Sequence, residues 1–437
     1  MQIEHDQIEL EINNQVNPQH SFVDESQEAS QYSKQDATQF DLSIKNGQFQ
    51  AFGLTNSIPG NPSIHQELID LSLGEPHLSE FPSDALTEIA QIPEIQRYYP
   101  SLGSEKLRTF IQRKFYHNLN AENIVITHGA IGALDIIMRA FVSPHAEILI
   151  PDPGFPPYEK LAKISGYQIQ KYQIQQPAKN EINSAQVKTM INWQQLNSLV
   201  NKNTKIVLFN TPHNPTGMIF TELDFQLFKQ FLRRHSHVYF IMDEVYRELI
   251  FDGLNHFDYS DFIHRGFIVG SFSKMFPLQG ARIGWVVSVD YQLEKLYPYF
   301  FNAYGAISSF GQELAFNLMQ RNLQYLDRYR LARDYCVQKL TEEQISFVKP
   351  KSSFFMMIEV GDCELELVQE LSQLGIRVTA GTQFGANGSG YIRICFAHEF
   401  NKLEKALDLI CLVWRKFHNN RLNHKSPINH RILDASL

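Results

Sequence analysis

Apolar residues in this chain follow two spacings that trade places along its length. Short unbroken runs at Lys205–Asn210, Val238–Met242, Phe267–Gly270 and Gly284–Val289 predict strands covered on both faces. Asn123–Thr127 and Glu147–Ile150 predict two more. Between them the spacing lengthens to that of helices: Ala85–Ile92, stopped by Pro93, then Ser104–Asn118, Gly132–Val142 and Glu222–His235. Strands alternating with helices predict an α/β domain with a mainly parallel sheet. Beyond Phe310 the rhythm changes to long helices across Gly311–Glu343, then Phe354–Glu359, Leu365–Leu374 and Tyr391–Phe396. That predicts a second, smaller α+β domain. No internal repeat is visible.

The two ends lack this patterning. Residues 1–50 hold ten glutamines, and nine acidic residues there face only Lys34 and Lys45. Such a segment has too little apolar surface to offset its ordering entropy, so a mostly disordered leader is expected, with a local helix around Ile3–Ile12 as the alternative. After Trp414 the chain is basic and is expected to be irregular. The formal net charge is −8, nearly all of it in the leader, which argues against a globally basic nucleic-acid binder. No apolar run approaches the ~18–20 residues of a membrane helix. The leader has no basic start followed by an apolar stretch, so no secretion signal is expected. Cys336, Cys363, Cys395 and Cys411 have no CxxC spacing, in keeping with a reducing, cytoplasmic setting.

Candidate chemistry collects just after the predicted strands. Ser271-Phe272-Ser273-Lys274 leaves one of them, and Arg282 follows with Gly280 and Gly284 on either side. Open α/β sheets bind ligands at the carboxyl ends of their strands, and partial desolvation there makes an amine nucleophilic enough for Schiff-base chemistry. Ser271, Ser273 and Arg282 are donors suited to a phosphate. A surface lysine beside a tight turn would leave the same trace. Asp243-Glu244-Val245-Tyr246 leaves another strand, and Asp243 reads either as a helix cap or as a carboxylate facing a protonated heterocycle nitrogen, with Tyr246 beside it.

Asn210-Thr211-Pro212-His213-Asn214-Pro215-Thr216-Gly217 is turn-forming, yet a turn alone does not demand Asn214, a donor for a phenolate-type oxygen. His128-Gly129-Ala130-Ile131-Gly132 opens a helix with small residues that let backbone N–H groups approach an anion, although close helix–strand packing explains them equally. Phe155, in a proline-rich loop, offers a face for a flat ring or simple packing. Each feature has a structural explanation singly. Five strand ends carrying in turn a glycine turn, an aromatic, an asparagine, an aspartate and a lysine do not.

In the order and spacing of these motifs, from about Leu71 to Arg415, the chain resembles the fold-type I pyridoxal-phosphate enzymes, specifically the class I/II aminotransferase family related to aspartate aminotransferase. The resemblance implies an α/β fold in which a seven-stranded, mainly parallel sheet lies between helices, beside a smaller α+β domain. It implies that Lys274 holds pyridoxal 5'-phosphate as a Schiff base and shuttles the proton of the substrate Cα. Asp243 would pair with the pyridinium nitrogen and keep the ring an electron sink. Asn214 and Tyr246 would contact the ring's phenolic oxygen, and Phe155 would stack on its face. The phosphate would be held by Ser271, Ser273, Arg282 and the backbone of Gly129, Ala130 and Ile131. Ile131 stands where many relatives have a hydroxyl residue, so its contact would be through backbone alone.

The resemblance also assigns Arg393 to the substrate α-carboxylate, with Gly74 and Asn214 near it. Tyr98 matches a tyrosine donated to the neighbouring subunit, which implies a homodimer with shared active sites. Phe301, not arginine, falls where dicarboxylate-specific members bind a second carboxylate, which disfavours an aspartate or glutamate specialist. The aromatic run Tyr297–Tyr304 reads equally as pocket lining or dimer packing.

The expected organisation is a leader at 1–58, an arm and part of the small domain at 59–103, a large cofactor-binding domain at 104–310, a small domain at 311–416 and a tail at 417–437. The expected reaction moves an amino group between an amino acid and a 2-oxo acid, with no metal, nucleic acid or membrane involved. The same site also suits a lyase, decarboxylase or oxidase, because the bond aligned with the ring's π system decides the chemistry. A transcription regulator built on this fold is disfavoured, since the acidic leader lacks a basic recognition helix.

Overall fold

Buried apolar strands need neighbours on both edges and cover on both faces, and the chain supplies these in one seven-stranded sheet. In the computed structural model, which describes residues 68–76, 83–175, 189–276, 278–321 and 325–424 with side chains to 418, the strands are β1 (Ile124–His128), β2 (Glu147–Asp152), β3 (Gln168–Gln173), β4 (Thr204–Asn210), β5 (Tyr239–Asp243), β6 (Gly266–Ser271) and β7 (Ile283–Val287). The leader, its alternative helix and the last thirteen residues of the expected tail lie outside the described residues. The sheet order is β1-β7-β6-β5-β4-β2-β3. β7 runs antiparallel to both of its neighbours, and the remaining pairings are parallel. Ile206–Phe209 and Phe240–Met242 in the central strands are fully buried, as strands covered on both faces require.

The sequence pattern missed β3. Its residues, Gln168-Ile169-Gln170-Lys171-Tyr172-Gln173, alternate with exposure and form an edge strand with one buried anchor, Tyr172, so no apolar run marks it. Helices at Pro157–Ser165, Trp193–Leu199 and Asp290–Tyr304 were also not predicted. The last of these carries Pro298 in its interior, and a proline normally argues against a helix.

The part of the chain expected to form the small domain contains a four-stranded antiparallel sheet, Thr379–Ala380, Tyr391–Cys395, Phe355–Glu359 and Phe347–Val348 in spatial order. Ile69–Asp70 adds a short parallel pair with Ile376–Arg377, so chain from before the large domain returns to the small one. Helices Tyr325–Glu342, Glu364–Gln373 and Phe400–His424 belong to this part of the chain. The last corrects the expected irregularity after Trp414. The helix continues because Arg415 and Lys416 pair with Glu343 and Glu370, and the Trp414 and His418 rings stack one turn apart. None of the described helices is long and apolar enough to cross a membrane.

Candidate active site

Because β1, β2, β4, β5 and β6 run parallel, their carboxyl ends meet at one edge of the sheet. His128, Asp152, Asn210, Asp243 and Ser271 are the last residues of those strands, and each of the singled-out loops starts there. The reversed β7 contributes its amino end to the same edge, which brings in Arg282 immediately before Ile283. This is the crevice in which open α/β sheets take ligands.

Lys274 lies in the one-turn helix Phe272–Met275, whose start is capped by the Ser271 hydroxyl accepting from the Ser273 N–H at 3.2 Å. Its Nζ donates to the Gly74 carbonyl at 2.5 Å. Burial pushes the amine down to about 8, opposed by the nearby Glu75 carboxylate. A lysine so placed has free amine available near neutral pH.

Asp243 is 3% exposed and has no cation paired with it among the described residues. Its oxygens accept from the Tyr158 phenol at 2.7 Å and from the Val245 N–H at 3.1 Å. Burial raises the carboxyl to about 6 despite these two donors, and the neighbouring Glu244 adds to the rise. Tyr158 was not singled out as a site residue. It is fully buried, and its place three residues after Phe155, in the first turn of the helix Pro157–Ser165, was the available signal. The two rings meet edge to face at 5.5 Å.

Arg393, in the centre of the small sheet, is 1% exposed. Its Nη1 donates to Asn214 Oδ1 at 3.1 Å, so a guanidinium of the four-stranded sheet meets an asparagine from the seven-stranded sheet's edge. Nη2 donates to the Ser72 carbonyl and to Thr379 Oγ1, while Nε has no hydrogen-bond partner. The guanidinium lies between the rings of Phe355 and Phe384, 4.1 and 4.7 Å from their centroids. Burial lowers it to about 10. Phe355, Phe384, Ser72 and Thr379 escaped the sequence reading because strands and loops far apart in the chain converge on Arg393. Tyr246 joins from the other side, its ring 5.8 Å from that of Phe355.

At the glycine turn, Gly129 has φ +64°, and a Cβ there would lie 2.6 Å from Arg282 Nη2. The guanidinium therefore sits against Gly129 at the start of the helix Gly129–Phe141. Ser271 and Ser273 are buried, and Ser273 Oγ has no partner among the described residues. These residues come together. Phe155 stands half-buried on the β2 loop. Tyr98 and Phe301 do not enter this cluster: they are 94% and 63% exposed.

Residues 66–410 match the family described as aminotransferase class I and II. The chain belongs to that family. It is 28% identical over 382 residues to an aspartate aminotransferase of Pyrococcus abyssi, covering 80% of this chain and 92% of the relative. It is 26% identical over 372 residues to aromatic-amino-acid aminotransferase 2 of Thermococcus litoralis, covering 78% and 90%. The fold is that of the aromatic aminotransferase crystal structure from Pyrococcus horikoshii, with a TM-score of 0.72 at 24% identity, over 80% of this chain and 96% of that one. This aminotransferase uses pyridoxal 5'-phosphate and transfers an amino group between an amino acid and a 2-oxo acid.

The residues present fit that cofactor. A phosphate dianion suits an unpartnered buried hydroxyl, a guanidinium and a helix start closed to any side chain at Gly129. A protonated ring nitrogen suits a buried carboxylate held only by neutral donors. An aldehyde suits an amine with a lowered pKa.

Proposed function

We propose that Lys274 is the amine that holds pyridoxal 5'-phosphate and that the strand-end residues divide the work around it. When bound, the cofactor supplies an electron sink that loosens the bonds at the substrate α-carbon. Asp243 keeps a proton on the ring nitrogen, Asn214 and Tyr246 face the ring's phenolic oxygen, and Phe155 covers the ring. Ser271, Ser273, Arg282 and the N–H groups of Gly129, Ala130 and Ile131 bind the phosphate. Arg393 binds the substrate α-carboxylate next to Gly74 and Asn214, and the Lys274 Nζ takes and returns the proton of the substrate Cα. The observation that carries this reading is the single strand edge, at which a lysine with a lowered pKa and an uncompensated buried aspartate lie within one crevice.

The substrate we infer carries no second carboxylate on its side chain, in keeping with Phe301. The exposed Tyr98 is taken to complete the phosphate site of a second copy, which makes the enzyme a homodimer.

Borohydride reduction of the cofactor-loaded protein, followed by peptide mapping, tests the assignment. The label is expected on Lys274, and Lys274→Ala should fold, lose the long-wavelength absorbance and turn over nothing. L-phenylalanine should bleach that absorbance at lower concentration than L-aspartate, and a 2-oxo acid should restore it. A label elsewhere, or retained turnover without Lys274, overturns the reading.

A further inference from the structure

The carboxylate at the end of β2 has no part in the chemistry described so far. Asp152 is 5% exposed and forms no ion pair among the described residues. Its Oδ1 accepts from the Asn387 N–H at 3.0 Å, and Asn387 belongs to the small-domain loop between Gly381 and Gly390. Two residues before it stands Gly385, at φ +131°, where a Cβ would lie 2.2 Å from the same oxygen. Two residues after Asp152, the Gly154 N–H donates to the Phe384 carbonyl at 2.8 Å. The two loops are thus joined at two points, with a glycine required where they press together.

The rest of the small-domain loop is fixed from its own side. Glu364 accepts from the Thr382 N–H at 2.9 Å, from Thr382 Oγ1 at 2.7 Å and from the Gly390 N–H at 2.8 Å. Glu364 therefore ties down both ends of the loop, and Asp152 ties down its middle. Phe384 sits in that middle, with its ring on the Arg393 guanidinium. The β2 end of the contact leads within three residues to Phe155.

We propose that Asp152 is a positioning residue for substrate binding: it holds the Gly385–Asn387 turn so that Phe384 packs Arg393 in register for the α-carboxylate. The proposal rests on the assignment of Arg393 made above. A planar guanidinium engages a carboxylate through two parallel hydrogen bonds, so a small rotation of the fork weakens both. Arg393 Nε has no partner among the described residues, so the rings of Phe355 and Phe384 over the guanidinium help to fix its tilt. Asp152 acts at a distance from the carboxylate and touches no reacting atom.

The test uses the cofactor-loaded, full-length enzyme. Asp152→Ala should raise the KM of the preferred amino donor, and the inhibition constant of 3-phenylpropionate, at least tenfold, with kcat and the affinity for pyridoxal phosphate within about threefold of wild type. Asp152→Asn retains an acceptor oxygen and should recover most of that loss. Combining Asp152→Ala with Phe384→Leu should give less than the product of the single effects, because both act through one contact. Without cofactor, amide exchange at residues 384–388 should speed up in Asp152→Ala while exchange elsewhere in the small sheet holds. Should Asp152→Ala fail to fold, Gly385→Ala presses on the same contact and should raise the same KM. An unchanged KM in either folded variant, strictly multiplicative effects, or a parallel loss of cofactor affinity overturns the proposal. Failure to label Lys274 would defeat the wider reading, yet the exchange result would still judge the clasp.

Discussion

Asp243 and Glu244 are consecutive buried carboxylates at the end of β5, and they live in opposite electrostatic worlds. Glu244 faces away from the crevice into a closed set of partners: Arg247 Nη1 at 2.7 Å, His256 Nε2 at 2.9 Å and the Tyr116 hydroxyl at 3.3 Å. Tyr116 in turn accepts from Trp285 Nε1 at 3.1 Å, and Arg247 lies over the Phe115 ring. These partners outweigh the cost of burial and hold the Glu244 carboxyl below its ordinary range. Asp243 has a phenol, one N–H and the more distant charge of Lys274, and burial wins, raising it to about 6. A buried acid whose charge the chain neutralises is structural. One left short of a cation is prepared for a cation from outside.

Substituting each acid in turn should pull function and stability apart. Asp243→Asn should cut turnover at least ~100-fold, because the ring nitrogen loses its charge partner. The cofactor-free protein should gain stability instead. The folded carboxyl is raised from the ordinary 3.8 of an aspartate to about 6, so its ionisation opposes folding. That penalty is absent below pH ~4, grows as pH rises through 6, and reaches roughly 3 kcal/mol above it. The stability advantage of Asp243→Asn over wild type should follow the same curve in thermal melts taken from pH 4 to 8.

Glu244→Gln should do the reverse. It strands the Arg247 guanidinium in the core and should cost about 3–5 kcal/mol, while molecules that remain folded keep turnover within a few-fold of wild type. The pH sign also inverts. The Glu244 carboxyl is depressed, so its contribution is present above the ordinary 4.5 of a glutamate and is lost as pH falls through the folded value. An Asp243→Asn variant that melts lower than wild type at pH 8, or a Glu244→Gln variant as stable as wild type, would erase the contrast.

The contrast also marks what the sequence could disclose. The meeting of Asp243, Asn214 and Lys274 at one edge was legible because carboxyl ends in a parallel sheet converge by rule, whereas Arg282 arrives there at the amino end of the reversed β7. The central strands were legible for a related reason, being apolar throughout. The edge strand β3 was not, since only Tyr172 among its residues is fully buried and the others read as polar loop. The surroundings of Arg393 were hidden more deeply. Ser72, Phe355, Thr379 and Phe384 reach it from four segments of the small domain, and no spacing within any one of them announces a shared partner. Nor did the motif Asp243-Glu244 say which carboxylate would be neutralised. That was decided by Arg247, three residues on, and by Tyr116 and His256 from distant elements.

The finest probe of the contrast is Tyr158→Phe, which removes one neutral donor from Asp243 and leaves Glu244 untouched. Among the described residues, the Asp243 carboxylate is faced by Tyr158, the Val245 N–H, Glu244, Lys274 and Tyr246. Of these, the Tyr158 phenol favours the ionised form by donating to it, whereas Glu244 opposes it. Losing a hydrogen bond to a charged group costs about 1.5 kcal/mol, so the Asp243 carboxyl should move further up from about 6. A raised acid destabilises the fold only where it is ionised. The stability deficit of Tyr158→Phe in the cofactor-free protein should therefore be small near pH 4, where the carboxyl is protonated in both proteins, and should open between pH 6 and 8. If the phenol only fills space beside Phe155, the deficit will be the same at every pH, and then Asp243 depends on burial and the Val245 N–H alone. In a Tyr158→Phe/Asp243→Asn double variant the pH-dependent part should vanish, because no carboxylate remains for the phenol to hold.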